Sequence, residues 1–196
     1  MDIKIFFALA SSLISVVVFV NYLQSVLRGQ SKPHMYTWLI WSLTQGIAVA
    51  VILYGKGGWG GIGLITSTLS VFCIFLLSLK YGTKNITTGD TIALILALLA
   101  IIPWLIFSQP LISILLVILI DFFGYIPSWR KSIQEPWSES LLSWGTSPLS
   151  YVFALLALSE YNALTILYPA FVILANYVLV GICLIFRQRI PKPQAL

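Results

Sequence analysis

Charge is what this sequence has least of. Only 9% of its 196 residues are Asp, Glu, Lys or Arg, against about 25% in a soluble globular domain. That shortage excludes a water-facing surface of ordinary composition. Histidine occurs once, as His34 in a basic loop, and cysteine twice. No His/Cys/Asp cluster has metal-ligand spacing, so neither a metal nor another cofactor is expected. Cys73 and Cys183 lie inside apolar runs and read as small buried side chains. Gly-x-Ser-x-Gly is missing, as are paired carboxylates at depth, so an enzyme is not expected. The last apolar run has no lysine, which removes the anchor for a retinal Schiff base. The basic residues form no contiguous arm, which argues against nucleic acid. The glycines of Gly55–Gly63 have no strand before them and no Gly-Lys-Ser/Thr ending, so they read as a flexible external turn leading into close helix packing.

What the chain has is hydrophobic length. Hydrophobic residues make up 59% of it, the mean hydropathy is +0.98, and a helix crosses a bilayer core with about 20 apolar residues. Seven runs qualify, over residues 5–24, 36–54, 62–79, 90–107, 111–128, 141–158 and 163–186, separated by short polar or Gly/Pro turns. The first has no evident cleavage site and is read as a retained span. The fold expected is an all-α membrane protein of seven transmembrane helices in one bundle. Nine of the eleven Lys and Arg residues fall on one side of this layout, leaving Lys4 and Lys56 on the other. By the positive-inside rule the N-terminus is then outside and the C-terminus cytoplasmic.

The chain also repeats itself. An ungapped shift of 103 residues pairs Tyr22 with Tyr125, Ser25 with Ser128, Arg28 with Lys131, Pro33 with Pro136, and Trp41 with Trp144. Three helices per copy need a connector to keep one orientation. This gives a 3+1+3 layout, with a triple-helix bundle over 1–85, a linker helix over 86–108, a second bundle over 109–187 and a tail over 188–196.

Asp121 is the one acid well inside an apolar run. Such an acid costs about 2.5–3.5 kcal/mol near a helix centre and usually faces the bundle interior. It shares a helical face with Gly124, Tyr125 and Ser128. It reads as a proton carrier, as a binding group for a cation or hydroxyl, or as a structural acid bonded to a Trp, a Tyr or a basic loop residue. Its counterpart in the first repeat is Val18. The matching face of the first span carries Asn21, Tyr22 and Ser25. The second and sixth spans carry Thr37, Trp41, Thr44 and Gln45, and Ser140, Trp144, Ser147 and Pro148. A Trp between polar groups can stack on a solute, although Trp38, Trp41, Trp137 and Trp144 also suit a membrane-interface belt. Asn176 lies mid-span, with Cys73 as its repeat mate on a face shared with Thr66 and Ser70. Its alternative role is helix–helix hydrogen bonding. Pro103, Pro148 and Pro169 fall in or near spans, where they can kink or hinge them.

With its 3+1+3 pattern, Tyr22-Leu23-Gln24-Ser25 with Arg28, and Tyr125-Ile126-Pro127-Ser128 with Arg130-Lys131, the chain resembles the PQ-loop superfamily, which includes the SWEET transporters. The run Asp-x-x-Gly-x-x-Pro, followed by Arg-Lys, Pro and Glu, looks like that of small bacterial members. The resemblance implies a multi-pass protein of the bacterial inner membrane. It implies carriage of a sugar-like or amino-acid-like solute by rocking of two bundles, with a receptor on the same fold as the alternative. The family's Pro-Gln hinge would fall at Pro127, where Ser128 replaces Gln, and the first repeat has neither residue. An Asn at the depth of Asn176 would contact the solute. The candidate solute site is then Asn21, Tyr22, Trp41, Gln45, Ser70, Cys73, Asp121, Tyr125, Trp144 and Asn176. Asp121 couples protons and Pro127, Pro148 and Pro169 act as hinges. The partners are the bilayer and the solute, and a homo-oligomer is left open.

The charge bias gives a direct test. In intact cells an impermeant maleimide should label Lys56→Cys and leave Lys84→Cys unlabelled; the reverse pattern would invert the topology.

Overall fold

The structure, a computed structural model, describes residues 2–29, 33, 35–82, 88–99, 102, 109–134 and 136–192. The described residues form seven α-helices: α1 (Ile3–Leu27), α2 (Met35–Tyr54), α3 (Gly60–Tyr81), α4 (Thr88–Leu99), α5 (Pro110–Gln134), α6 (Leu141–Leu156) and α7 (Ala163–Arg187). Local chemistry sets several starts. The Asp2 carboxylate accepts from the Lys4 backbone N–H at 3.0 Å, and the Asn162 side chain caps α7 in a reciprocal capping box with Thr165. Four helices, α1, α2, α3 and α7, are long and apolar enough to cross a membrane. The apolar stretch Pro110–Tyr125 of α5 and the whole of α6 are shorter. Large apolar side chains stand on the outer surface, with Leu13 65%, Leu142 66% and Leu174 66% exposed. Hydrocarbon suits that surface and water does not.

Packing follows one rule in two places. α3 packs against both α1 and α2, and α7 packs against both α5 and α6. Between the trios, α1 meets α6, α2 meets α5, α3 meets α6 and α2 meets α7. Exchanging α1–α3 with α5–α7 maps this set of contacts onto itself. α4 breaks the symmetry, because it covers the α2·α5 side and not the α1·α6 side.

The α1·α6 side is closed by small residues instead. Ser11 donates to the Ser150 carbonyl at 2.6 Å, and Ala8 and Ala154 are buried. A Cβ placed on Gly63 of α3 would run into the Ser11 hydroxyl, so only glycine lets these backbones approach. Above this seam the α2–α3 and α6–α7 turns are joined: Ser159 N–H donates to the Gly57 carbonyl at 3.0 Å and the Asn162 amide to the Gly55 carbonyl at 2.9 Å. Lys56 and Gly58 take positive φ to make that turn.

Three expectations change. The glycine turn is not flexible but pinned by those two bonds. The separator placed from Arg130 to Glu139 is helical as far as Gln134, followed by a 3-10 turn at Pro136–Ser138. Basic residues near a helix C-terminus complement its dipole, and the connection needs only a few residues. Cys73 is exposed while Cys183 is fully buried, so only the second is a core side chain. Of the expected 90–107 span, α4 covers the first part, and most of the rest, Pro103 included, lies outside the described residues, as does His34 of the loop before α2.

Gly63→Val should lower the melting temperature in detergent, with a cost of about 1–3 kcal/mol for forcing methyl groups into a packed seam. An unchanged melt would mean that α1 and α3 do not touch there.

Candidate functional site

The helical spacing of Asp121 and Tyr125 turns both inward from α5, and both are buried, at 2% and 5% exposure. On the opposite face of α5, Leu116, Leu119 and Phe123 line an apolar groove with Leu96 and Leu99 of α4. The acid therefore points away from α4. Its Oδ2 accepts a hydrogen bond from the Tyr168 hydroxyl of α7 at 2.8 Å. Its Oδ1 is buried without a partner. The Thr44 hydroxyl of α2 stands alongside, and Tyr125 and Tyr151 lie within electrostatic reach. These neighbours are all neutral hydroxyl groups. One carboxylate oxygen is thus bonded by Tyr168, and the other is buried with the Thr44 hydroxyl as the nearby donor.

Two hydrogen-bonded chains flank the acid. Ser67 of α3 donates to Gln45 Oε1 of α2 at 3.3 Å and lies 3.1 Å from the Tyr151 hydroxyl of α6. Ser67 has one proton to give, so Tyr151 is the donor in the second contact. The Asn176 amide of α7 donates to the Tyr125 hydroxyl at 2.9 Å and to the Val172 carbonyl at 2.7 Å.

Next to the acid lies an aromatic cluster. The repeat mates Trp41 and Trp144 meet edge-to-face with centroids 6.5 Å apart, and Tyr125 touches both at 5.7 and 6.3 Å. Gly124 faces this cluster, and a Cβ there would make an ordinary van der Waals contact with Trp41 Nε1 at 3.5 Å. Phe171 and Trp129 pack on Tyr125, and Trp38 joins Trp41 to Tyr22. Trp38, Trp41 and Trp144 are half-buried and in contact along this cluster.

The basic end is held by a side-chain clasp. Arg187, at the end of α7, donates to the Pro136 and Glu139 carbonyls at 3.0 and 2.7 Å and stacks on Trp137 at 4.6 Å. Trp137 donates to the Ile190 carbonyl at 2.8 Å. The Glu139 carboxylate in turn accepts from the Trp144 indole at 2.8 Å, so the clasp reaches the aromatic cluster directly.

Of the candidate residues, Trp41, Gln45, Asp121, Tyr125, Trp144 and Asn176 come together, with Tyr22 at the edge. Asn21 is exposed, Ser70 bonds the Thr66 carbonyl of its own helix at 2.9 Å, and Cys73 is on the outer surface; these three stand apart. Pro148 and Pro169 are buried inside α6 and α7. Position 127 is helical, and its side chain lies outside the described residues. Sequence reasoning missed Tyr168, Tyr151, Ser67 and Arg187. The two tyrosines carried a usable signal: a phenol in the middle of an apolar run needs a partner there, just as the acid does.

Tyr168→Phe removes the phenol that donates to Asp121 Oδ2 and should cost about 1–2 kcal/mol of stability, the upper end for hydrogen bonds between membrane helices. Combining it with Asp121→Leu should recover most of that loss. Purely additive melting shifts would show that the two side chains are not coupled.

Comparison of the chain with family models, curated proteins and solved structures returns no match, so the site is read from its chemistry.

Proposed function

We propose that the chain is a transporter of a small polar solute in a bacterial inner membrane, a PQ-loop or SWEET-like protein with no enzymatic activity. It has seven spans arranged 3+1+3, with the N-terminus outside and the C-terminus in the cytoplasm. The self-mapping packing of α1–α3 and α5–α7 supports two bundles that rock against each other. α4 is the connector between them.

One observation carries the reading. Asp121 is buried where α2, α5 and α7 meet, with one carboxylate oxygen bonded and the other unclaimed. A purely structural acid would have both oxygens satisfied, because burying an unpaired polar atom costs free energy. A transport site needs a group that binds in one state and releases in the other, and the unclaimed oxygen is such a group. The two ends of the assembly are fastened differently. The glycine-turn end uses backbone and amide bonds, while the basic end uses the Arg187 clasp. The glycine-turn bonds cross from one trio to the other, whereas the clasp ties α7 to the α5–α6 connection within the second trio, so the clasp would move with that bundle as the basic end opens.

In proteoliposomes, flux should depend on a pH gradient, and Asp121→Asn should abolish that dependence while the protein keeps its fold. Retained pH dependence in the variant would remove Asp121 as the proton carrier. Solute binding without flux would favour a receptor instead.

A further inference from the structure

Hydrogen-bond accounting around Asp121 narrows the solute. Ser67 gives its proton to Gln45 and takes one from Tyr151. Asn176 spends its amide on Tyr125 and the Val172 carbonyl. Tyr168 is committed to Asp121 Oδ2, and Thr44 donates to carbonyls of its own helix. A polyol needs several uncommitted partners for its several hydroxyls, and these side chains are engaged with one another. What remains in this cluster is one buried carboxylate oxygen, on the same face of α5 as Tyr125, whose ring packs on Trp41 and Trp144. No basic side chain among the described residues pairs with that oxygen. From α4 only uncharged residues, Gly89, Ile92, Leu96 and Leu99, line the α5 groove among the described residues, from α2 comes Thr44, and from α6 and α7 come Tyr151 and Tyr168.

We infer that the solute is an organic cation, a small amine whose ammonium group pairs with Asp121 Oδ1 while its carbon frame lies against Trp41, Tyr125 and Trp144. This rests on the reading of the Asp121 region as a solute site and adds the solute's charge class. One point charge and adjoining aromatic faces are the features that recognise ammonium groups. Asp121 is four residues, about 6 Å along the axis, from Tyr125. That spacing lets one small molecule touch the carboxylate and the Tyr125 ring together. The tryptophans also make binding observable, because Trp41 and Trp144 both pack on Tyr125.

The test uses the purified full-length protein and three probes: benzylamine, its neutral counterpart benzyl alcohol, and glucose. Tryptophan fluorescence and thermal melting are the readouts. Benzylamine should quench and stabilise at concentrations about tenfold or more below benzyl alcohol, because a site built around a polar partner rejects the analogue lacking it. Asp121→Asn should erase the difference between the two. Trp144→Phe, which keeps the acid and an aromatic ring, should weaken benzylamine binding severalfold and preserve the preference. Equal responses to amine and alcohol, a preference that survives in Asp121→Asn, or no response to the amine would each overturn the inference. A response to glucose alone would overturn the cation class and leave the solute site standing. Transport itself is decided separately, by the flux of the Asp121→Asn variant.

Discussion

A carboxyl group among apolar helices must find its hydrogen-bond donors within the protein, because hydrocarbon supplies none. Asp121 imposes that demand, and much of the interior is arranged around it. Tyr168 has to reach across from α7, which fixes how α7 packs on α5. Thr44 stands beside the acid from α2, which sets the approach of the first trio to the second. Tyr125, one turn along, takes the Asn176 amide and places its ring against Trp41 and Trp144. Hydrophobic burial gives helices in lipid little reason to prefer one partner over another. Directional bonds of this kind, together with close small-residue contacts such as Ser11 with Gly63, therefore select the arrangement.

The same bonds also limit the chemistry. Polar side chains that satisfy one another stabilise the fold but have nothing left to offer a solute. Among the described residues two buried side-chain atoms lack a partner, Ser15 Oγ on α1 and Asp121 Oδ1, and only the second lies in this cluster. In the proposed site, specificity would then depend on charge and on aromatic surface, not on a lattice of hydrogen bonds. The Glu139 contact to Trp144 adds a mechanical link, since breaking the Arg187 clasp at the basic end would disturb a ring of the cluster.

Periodicity made part of this legible from sequence. Apolar runs located the helices, helical spacing put Asp121 and Tyr125 on one inward face, and the 103-residue shift paired Trp41 with Trp144, which do meet. Local pattern could not say which residue answers Asp121, because Tyr168 lies 47 positions away and is brought close only by packing. The repeat also misled where it was used residue by residue. Cys73 is the register mate of Asn176, yet one is exposed and the other buried. α3 and α7 occupy equivalent places in their trios, but a common register does not guarantee equal burial. The reach of α5 to Gln134 was missed because charged residues were read as a turn, although lysine and arginine are good helix formers.

The two trios share a set of packing contacts but not their interior chemistry. Shifting by 103 residues gives Val18 for Asp121, Ile65 for Tyr168 and Ala48 for Tyr151, while Tyr125 keeps a tyrosine, Tyr22. The acid, its donor and the flanking phenol are replaced together by apolar residues, as expected if the donors exist to serve the acid. A second acid without donors would be an uncompensated buried charge. A second set of donors without an acid would be unsatisfied polar groups. The two halves thus keep the same contacts while only one carries a charge-bearing group. In the proposed rocking of the two trios, Asp121 is the place at which a bound cation or proton would bias the motion.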